Sequence, residues 1–119
     1  MEEPIKGLIA ELQQTIRFEE LRKVPPTGDY LEGVLLRKDL ACCYDLLAKV
    51  FGPPLKEFGT APAFTPETKK TVDVVGGIRD NQCFFLAQRG ATPVAYAALW
   101  PWESDPTRLT LKVGAWQTP

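Results

Sequence analysis

The side chains that usually perform acid–base and nucleophilic chemistry near neutral pH are scarce in this chain. It contains no histidine, and its three cysteines are Cys42, Cys43 and Cys83. Histidine is the usual general base at this pH, the commonest zinc ligand and the partner of nucleophilic serine or cysteine. The composition therefore excludes those mechanisms and leaves carboxylates, lysine, arginine, tyrosine, cysteine and backbone groups for any catalysis.

Four carboxylates are the remaining candidates for acid–base work or for binding a cation. They are Asp73, Asp80, Glu103 and Asp105. Catalysis by paired carboxylates needs two of them roughly 5–9 Å apart, and nothing in their spacing along the chain predicts such a pair. Calcium-loop spacing is also absent. We interpret these residues as surface carboxylates and turn formers, and we predict no catalytic residue, no metal site and no cofactor.

The three cysteines do not indicate a disulfide framework, because their number is odd and two of them are adjacent. Cys43 and Cys83 lie in apolar segments and are predicted to be core residues. Cys42 falls off the apolar face of its segment, which leaves a reactive thiol as the less favoured alternative. Free thiols in a reducing compartment are the expected state.

Two consecutive glycines, Gly76 and Gly77, begin a segment over residues 76–82 that could be mistaken for a phosphate-binding loop. The segment lacks the G-x-x-x-x-G-K pattern, and no predicted helix follows it. We instead predict a β-bulge at the two glycines, followed by a hairpin turn at Asp80 and Asn81.

An aromatic-rich segment near the end of the sequence is the strongest indication of a binding surface. On a strand, the aromatic residues of this segment share one face, and a neighbouring strand adds a fourth ring; the set is Tyr96, Trp100, Trp102 and Trp116. Ala95, Ala97 and Leu99 occupy the opposite face, where small side chains allow a helix to pack closely. We therefore predict that the aromatic face points away from the helices and contacts a partner, most simply a second copy of the chain. The alternative is that the rings lie in an ordinary core or are covered by residues 55–67.

Hydrophobic periodicity predicts two helices in the first half of the chain. Residues 4–23 carry apolar side chains at helical spacing, beginning at Ile5 and ending at Ile16. Residues 40–51 form the second helix, with Asp39 before it, Leu47 central on its apolar face, and glycine and two prolines after it.

Alternating patterns and turn residues predict strands in the second half. They cover residues 71–79, 82–88, 93–102 and 108–116, with turns at 89–92 and 103–107. A further strand over residues 30–36 is left open, because that segment could extend the next helix backwards. Residues 55–67 are predicted to run over the surface or to cover a sheet edge.

The predicted elements indicate an α+β fold in one domain, residues 1–119. Two N-terminal helices pack on one face of a four- or five-stranded antiparallel sheet, whose last strands form a C-terminal meander. The chain is 45% apolar and 24% charged, which is typical of a globular domain.

Charge and hydropathy limit the classes of partner. The net charge is −1 and no basic stripe is present, so nucleic-acid binding is not expected. No apolar run approaches the roughly 20 residues that span a bilayer, and the acidic start of the chain lacks the pattern of a secretory signal. These patterns predict a cytoplasmic protein with no membrane partner.

The scarcity of catalytic residue types and the abundance of aromatic residues favour one functional class. We predict a non-catalytic binding or assembly module that uses an aromatic sheet face, with a homodimer or another protein as partner. The alternative is a small-molecule-binding domain, or an enzyme that works without histidine, with a pocket between the helices and the sheet.

Overall fold

The computed structural model describes residues 2–87 and 94–116, which form three α-helices around a five-stranded antiparallel sheet. The sheet has the strand order β1-β2-β5-β4-β3. In chain order the elements are α1 (Glu2–Thr15), β1 (Glu20–Lys23), β2 (Leu31–Leu36), α2 (Leu40–Phe51), α3 (Pro66–Val75), β3 (Cys83–Ala87), β4 (Val94–Pro101) and β5 (Arg108–Trp116). A short 3-10 turn, Arg37–Asp39, leads into α2. Within the described residues, no helix is both long and apolar enough to cross a membrane.

The main core lies between the sheet and the helices α1 and α2. The sheet surface that it covers, called the first face below, carries Ala95 and Ala97 of β4 and the alternating apolar residues of β5. The residues of the two helices packed there, together with Ile16 directly after α1, are each at most 7% exposed: Ile5, Leu8, Ile9, Leu12, Ile16, Cys43, Leu46 and Leu47. The predicted α+β fold with an antiparallel sheet is therefore confirmed, but the predicted arrangement of two helices is only partly matched, because α1 and α2 pack on this face and a third helix, α3, is also present.

The first predicted helix is too long by eight residues. It ends at Thr15, and the segment Glu20–Lys23 is instead the edge strand β1, which pairs with β2. All four residues of β1 are exposed, so no apolar periodicity distinguishes this strand from the end of a helix. Cross-strand pairing with β2 decides the conformation, because tertiary contacts override the local preference of glutamate, leucine, arginine and lysine for helix.

The predicted strand over residues 71–79 is also wrong, because most of it belongs to α3. Thr65 caps this helix by accepting a hydrogen bond from the Thr68 N–H at 3.2 Å, and Pro66 occupies the first turn. Gly76, with φ of 114°, ends it in the left-handed conformation, so the predicted bulge is a helix stop. The β-branched residues Thr71, Val72, Val74 and Val75 suggested a strand, whereas these caps are helix start and stop signals.

The remaining strands follow the sequence pattern. The open question about residues 30–36 is decided by pairing, because β2 runs antiparallel to β5 along its whole length. The three C-terminal strands form the predicted meander, β3-β4-β5. The turn predicted at residues 89–92 lies outside the described residues.

Candidate contact surface on the second sheet face

A third helix covers part of the sheet surface opposite the main core, called the second face below. Val72 and Val75 of α3, with Ile78 after it, form a small second core against Phe84, Tyr96 and Ala98. Phe64 adds an edge-to-face contact with the Phe84 ring at 6.0 Å. We predicted that the aromatic face points away from the helices. It does point away from α1 and α2, but it lies partly beneath α3.

Trp100 marks the boundary of the area that α3 covers. A Cβ added at Gly76 would lie 3.6 Å from the Trp100 ring, so the end of α3 rests on this side chain. Lys112 Nζ lies 4.7 Å from the centre of the same ring and donates to the Val75 carbonyl at 3.3 Å. Among the described residues, the buried Nε1 of Trp100 has no hydrogen-bond partner.

The apolar contacts of α3 lie on β3 and β4. On the side of β1, β2 and β5, the second face carries side chains that are exposed or half-buried, and we call this area the open half-face. It is defined by Arg22, Tyr30, Glu32, Trp102 and Lys112. The Trp102 Nε1–H donates to Thr110 Oγ1 at 2.9 Å, which holds the indole across β5. The Arg22 guanidinium lies 5.8 Å from the centre of the Trp102 ring. Trp102 is therefore positioned by one hydrogen bond and one cation–ring contact while staying partly exposed.

Tyr30 and Tyr96 pack against β5 at Gly114, where any residue with a side chain would force one of the tyrosines to move. A Cβ at Gly114 would lie 2.7 Å from Tyr30 Cδ1 and 3.1 Å from Tyr96 Oη. Tyr30 Oη donates to Glu32 Oε1 at 3.1 Å, and Lys23 Nζ lies 5.8 Å from the centre of the Tyr30 ring. Burial, followed by the nearby Glu32 carboxylate, raises the pKa of Tyr30. The Tyr30 hydroxyl is therefore a donor, not a phenolate, at neutral pH.

The structure brings together three of the four rings singled out in the sequence. Tyr96 is 6% exposed, whereas Trp100 and Trp102 are partly buried, and all three share the second face. Trp116 pairs with Val94 at the end of β5, and its side chain lies outside the described residues. Sequence reasoning missed Arg22 and Tyr30 as surface candidates. It placed Arg22 at the end of the first helix, where the structure has β1, and placed Tyr30 at the start of a strand that it left open.

A separate polar cluster lies beside α2. Tyr44 Oη donates to Glu57 Oε2 at 2.6 Å, and the thiol of buried Cys83 lies 3.8 Å from Glu57 Oε1. The hydrogen bond to Glu57 raises the pKa of Tyr44 to about 12, and burial raises that of Cys83 to about 12. Both groups are therefore protonated at neutral pH and are not activated nucleophiles. Tyr44 and Glu57 border a shallow cavity of about 480 Å³, which is lined by Arg37, Leu40, Ala41, Tyr44, Asp45, Glu57 and Phe58.

Lys56, next to this cluster, is a buried lysine at 4% exposure. Its ammonium donates to three backbone carbonyls, those of Glu57 at 2.8 Å, Asp80 at 2.5 Å and Gln82 at 2.8 Å. Burial lowers the pKa of Lys56, although the Asp80 charge opposes that shift. The three carbonyls use all three ammonium donors, so this lysine joins two loops and offers no free proton to a substrate.

Three of the four carboxylates singled out in the sequence form ion pairs with different partners. Asp73 pairs with Lys69 on α3, Glu103 with Arg79 at 3.8 Å, and Asp105 with Arg108. Hydrogen bonds from Thr107, and then Arg108, lower the pKa of Asp105. In the part of the chain that the structure describes, no three Asp, Glu or Cys side chains are grouped so that they could hold a metal ion.

No protein-family model, curated protein or solved structure matches this chain. Its function must therefore be inferred from the geometry of its own surfaces.

Proposed function

We propose that this protein is a non-catalytic binding module that contacts another protein through the open half-face. The proposal depends on one observation above all: α3 packs on the β3 and β4 side of the second face, whereas Trp102 and Tyr30 beyond it keep part of their surface exposed. Tryptophan, tyrosine and arginine are the residues most enriched among those that dominate binding energy at protein interfaces. Trp102, Tyr30 and Arg22 supply all three on one surface.

The side chains of the open half-face are already held in place, which lowers the entropic cost of binding. Thr110 fixes the Trp102 indole, Glu32 fixes the Tyr30 hydroxyl, and Arg22 lies over the indole. Immobilising a flexible side chain costs about 0.5–1.5 kcal/mol on association. A partner that docks here meets an ordered surface, so more of the contact energy appears as affinity.

The test compares Trp102→Ala with Tyr44→Ala, an aromatic truncation on the other side of the molecule. Affinity capture from an extract of the source organism supplies the candidate partner, and the purified captured protein is then titrated against the wild type and both variants. We expect Trp102→Ala to weaken binding of this partner at least tenfold and Tyr44→Ala to leave it unchanged. Equal binding of the captured protein by all three proteins, or no protein captured by the wild type, would contradict the proposal.

The cavity beside α2 favours a second candidate, a small-molecule-binding protein. Its lining combines the apolar Leu40 and Phe58 with the charged Arg37, Asp45 and Glu57, and such a mixture suits a small ligand with polar and apolar parts. A thermal-shift screen of metabolites tests this function, because a bound ligand raises the melting temperature. A ligand that stabilises wild type and Trp102→Ala but not Tyr44→Ala would support this candidate over the first.

A further inference from the structure

The two edges of the sheet differ in how they are covered. At the β3 edge, the Leu55 and Lys56 N–H groups donate to the Phe84 carbonyl, and the Phe84 N–H donates back to the Lys56 carbonyl. Within residues 2–87 and 94–116, no segment pairs in this way with the outer side of β1. An uncovered edge strand presents backbone donors and acceptors to any strand that approaches it. The β1 edge is therefore the place where the sheet can be extended.

The charges along this edge are ordered so that the segment complements itself. Residues 19–23 read Glu-Glu-Leu-Arg-Lys, with two acids, one apolar residue and two bases. In an antiparallel pair centred on Leu21, each residue faces the residue at the mirrored position of the other copy. Glu20 then faces Arg22 on both sides of the two-fold axis. The β1–β2 register shifts between Leu21 and Lys23, and Glu19 lies just before the strand, so Glu19 and Lys23 add opposite charges at the two ends of the pair without standing in strict register. Directly opposed unlike charges stabilise a strand pair, whereas like charges destabilise it.

Leu21, at the centre of this register, is one of the three large hydrophobic residues that are most exposed, at 48%. A shallow cavity of about 440 Å³ borders it, lined also by residues 13–18. The antiparallel register would place the two Leu21 side chains opposite each other beside this cavity. Pairing would thus remove from water an apolar side chain that the monomer leaves exposed.

The ion pairs already present at this edge are weak enough to be rearranged. Arg22 Nε lies 3.2 Å from Glu20 Oε2, with side-chain exposures of 41% and 56%. Glu19 Oε1 lies 3.6 Å from Arg108 at comparable exposure. Such exposed ion pairs contribute little to stability, because water and salt screen them. Short, charged and irregular edge strands usually resist pairing. Here the order of the charges places unlike charges opposite each other in a second copy, which favours pairing.

We propose that β1 pairs antiparallel with β1 of a second copy of this chain, about a two-fold axis at Leu21, and joins two five-stranded sheets into one. The axis of an antiparallel pair is perpendicular to the sheet, so both second faces lie on the same side. Because β1 borders the open half-face, the two open half-faces become neighbours on one continuous surface. This dimer goes beyond the proposed function and does not depend on it.

A charge-swap experiment tests the dimer by sedimentation velocity and native mass spectrometry, from micromolar to millimolar concentration. Glu19→Lys with Glu20→Lys makes the edge wholly basic, and Arg22→Glu with Lys23→Glu makes it wholly acidic. We expect the wild type to dimerise, each double variant alone to lose at least tenfold in dimer affinity, and their equimolar mixture to form a heterodimer. The variant carrying all four changes, with the order Lys-Lys-Leu-Glu-Glu, should dimerise again. Glu11→Lys with Asp45→Lys, on exposed helix positions, is the matched control and should dimerise like the wild type.

A cross-linking experiment checks the register and needs no large change of charge. In a Cys42→Ser background, Leu21→Cys should form an intermolecular disulfide, because directly opposed strand residues have Cα atoms within disulfide range. Glu20→Cys, which would face Arg22, should cross-link at least tenfold more slowly. Wild-type protein that is monomeric at every concentration, or equal cross-linking of the two variants, would overturn the proposal. Trp102→Ala should leave the dimer intact, so failure of the dimer and failure of the partner surface are distinguishable.

Discussion

The buried ammonium of Lys56 should be one of the largest single polar contributions to stability. Replacing Lys56 with methionine keeps the apolar length of the side chain but removes the donors to three carbonyls, those of Glu57, Asp80 and Gln82. A hydrogen bond to a charged group contributes about 1.5–3 kcal/mol. The cost of burying the ammonium, visible in the lowered pKa of Lys56, offsets part of that gain.

We expect Lys56→Met to lower the free energy of unfolding by roughly 2–4 kcal/mol. Replacing a whole buried ion pair with apolar groups can be neutral, but here only the donor is removed and three acceptors stay buried without it. The same change should loosen the loop before α3 and the turn before β3, because Lys56 is their shared contact. It should therefore also expose the partly covered β3 edge.

Urea denaturation at neutral pH measures this loss, and Lys70→Met, an exposed lysine on α3, is the matched control. With a slope of about 1–3 kcal/mol/M, the midpoint should fall by roughly 1–2 M for Lys56→Met and should stay nearly unchanged for the control. Lys56→Ala should recover part of the loss when methylammonium is added, because a small cation can occupy the three carbonyls. A Lys56→Met protein within about 0.5 kcal/mol of wild type would refute the reasoning.

Four further outcomes are expected. Leu47→Ala should cost roughly 2–5 kcal/mol in denaturant titration, because the side chain is fully buried; a loss under about 0.5 kcal/mol would place it outside the core. Gly114→Ala should cost roughly 1–3 kcal/mol in the same assay, since the new Cβ would lie 2.7 Å from Tyr30, and an unchanged midpoint would contradict the crowding. In native protein a thiol reagent should modify exposed Cys42 rapidly and the two buried cysteines only after unfolding, whereas three fast reactions would disprove their burial. Burial raises the pKa of Cys43 and of Cys83 from 9.0 to about 12, so the folded state retains protons that the unfolded state releases. In alkaline denaturation the free energy of unfolding should therefore be undiminished below pH 9 and should fall as the pH rises towards 12. A free energy of unfolding that stays constant over this range would contradict the expectation.

The local residue pattern was sufficient to predict an element where that element has its own hydrophobic periodicity and its own turn or capping residues. β5 alternates apolar and polar residues, and its bounds, Arg108–Trp116, are those predicted. α2 has an apolar stripe and a glycine after it, and it also lies where the sequence placed it. The alanine side of β4 faces α1 and α2 because small side chains allow the close approach that the pattern indicated. Each of these decisions depends on residues near one another in the chain.

Tertiary structure alone decided β1, the position of α3 and therefore the candidate surface. The residues of β1 are exposed and favour helix locally, and only pairing with β2, whose partner residues lie nine to fourteen positions further along the chain, makes them a strand. In α3 the valines and threonines favour a strand, but the caps at Thr65 and Gly76 and the apolar contact with Phe84 and Tyr96 stabilise a helix. How far this helix extends across the second face determines which rings are core and which are open. Packing between segments that are distant in the chain sets how far α3 extends, and a local pattern of residues carries no information about such packing.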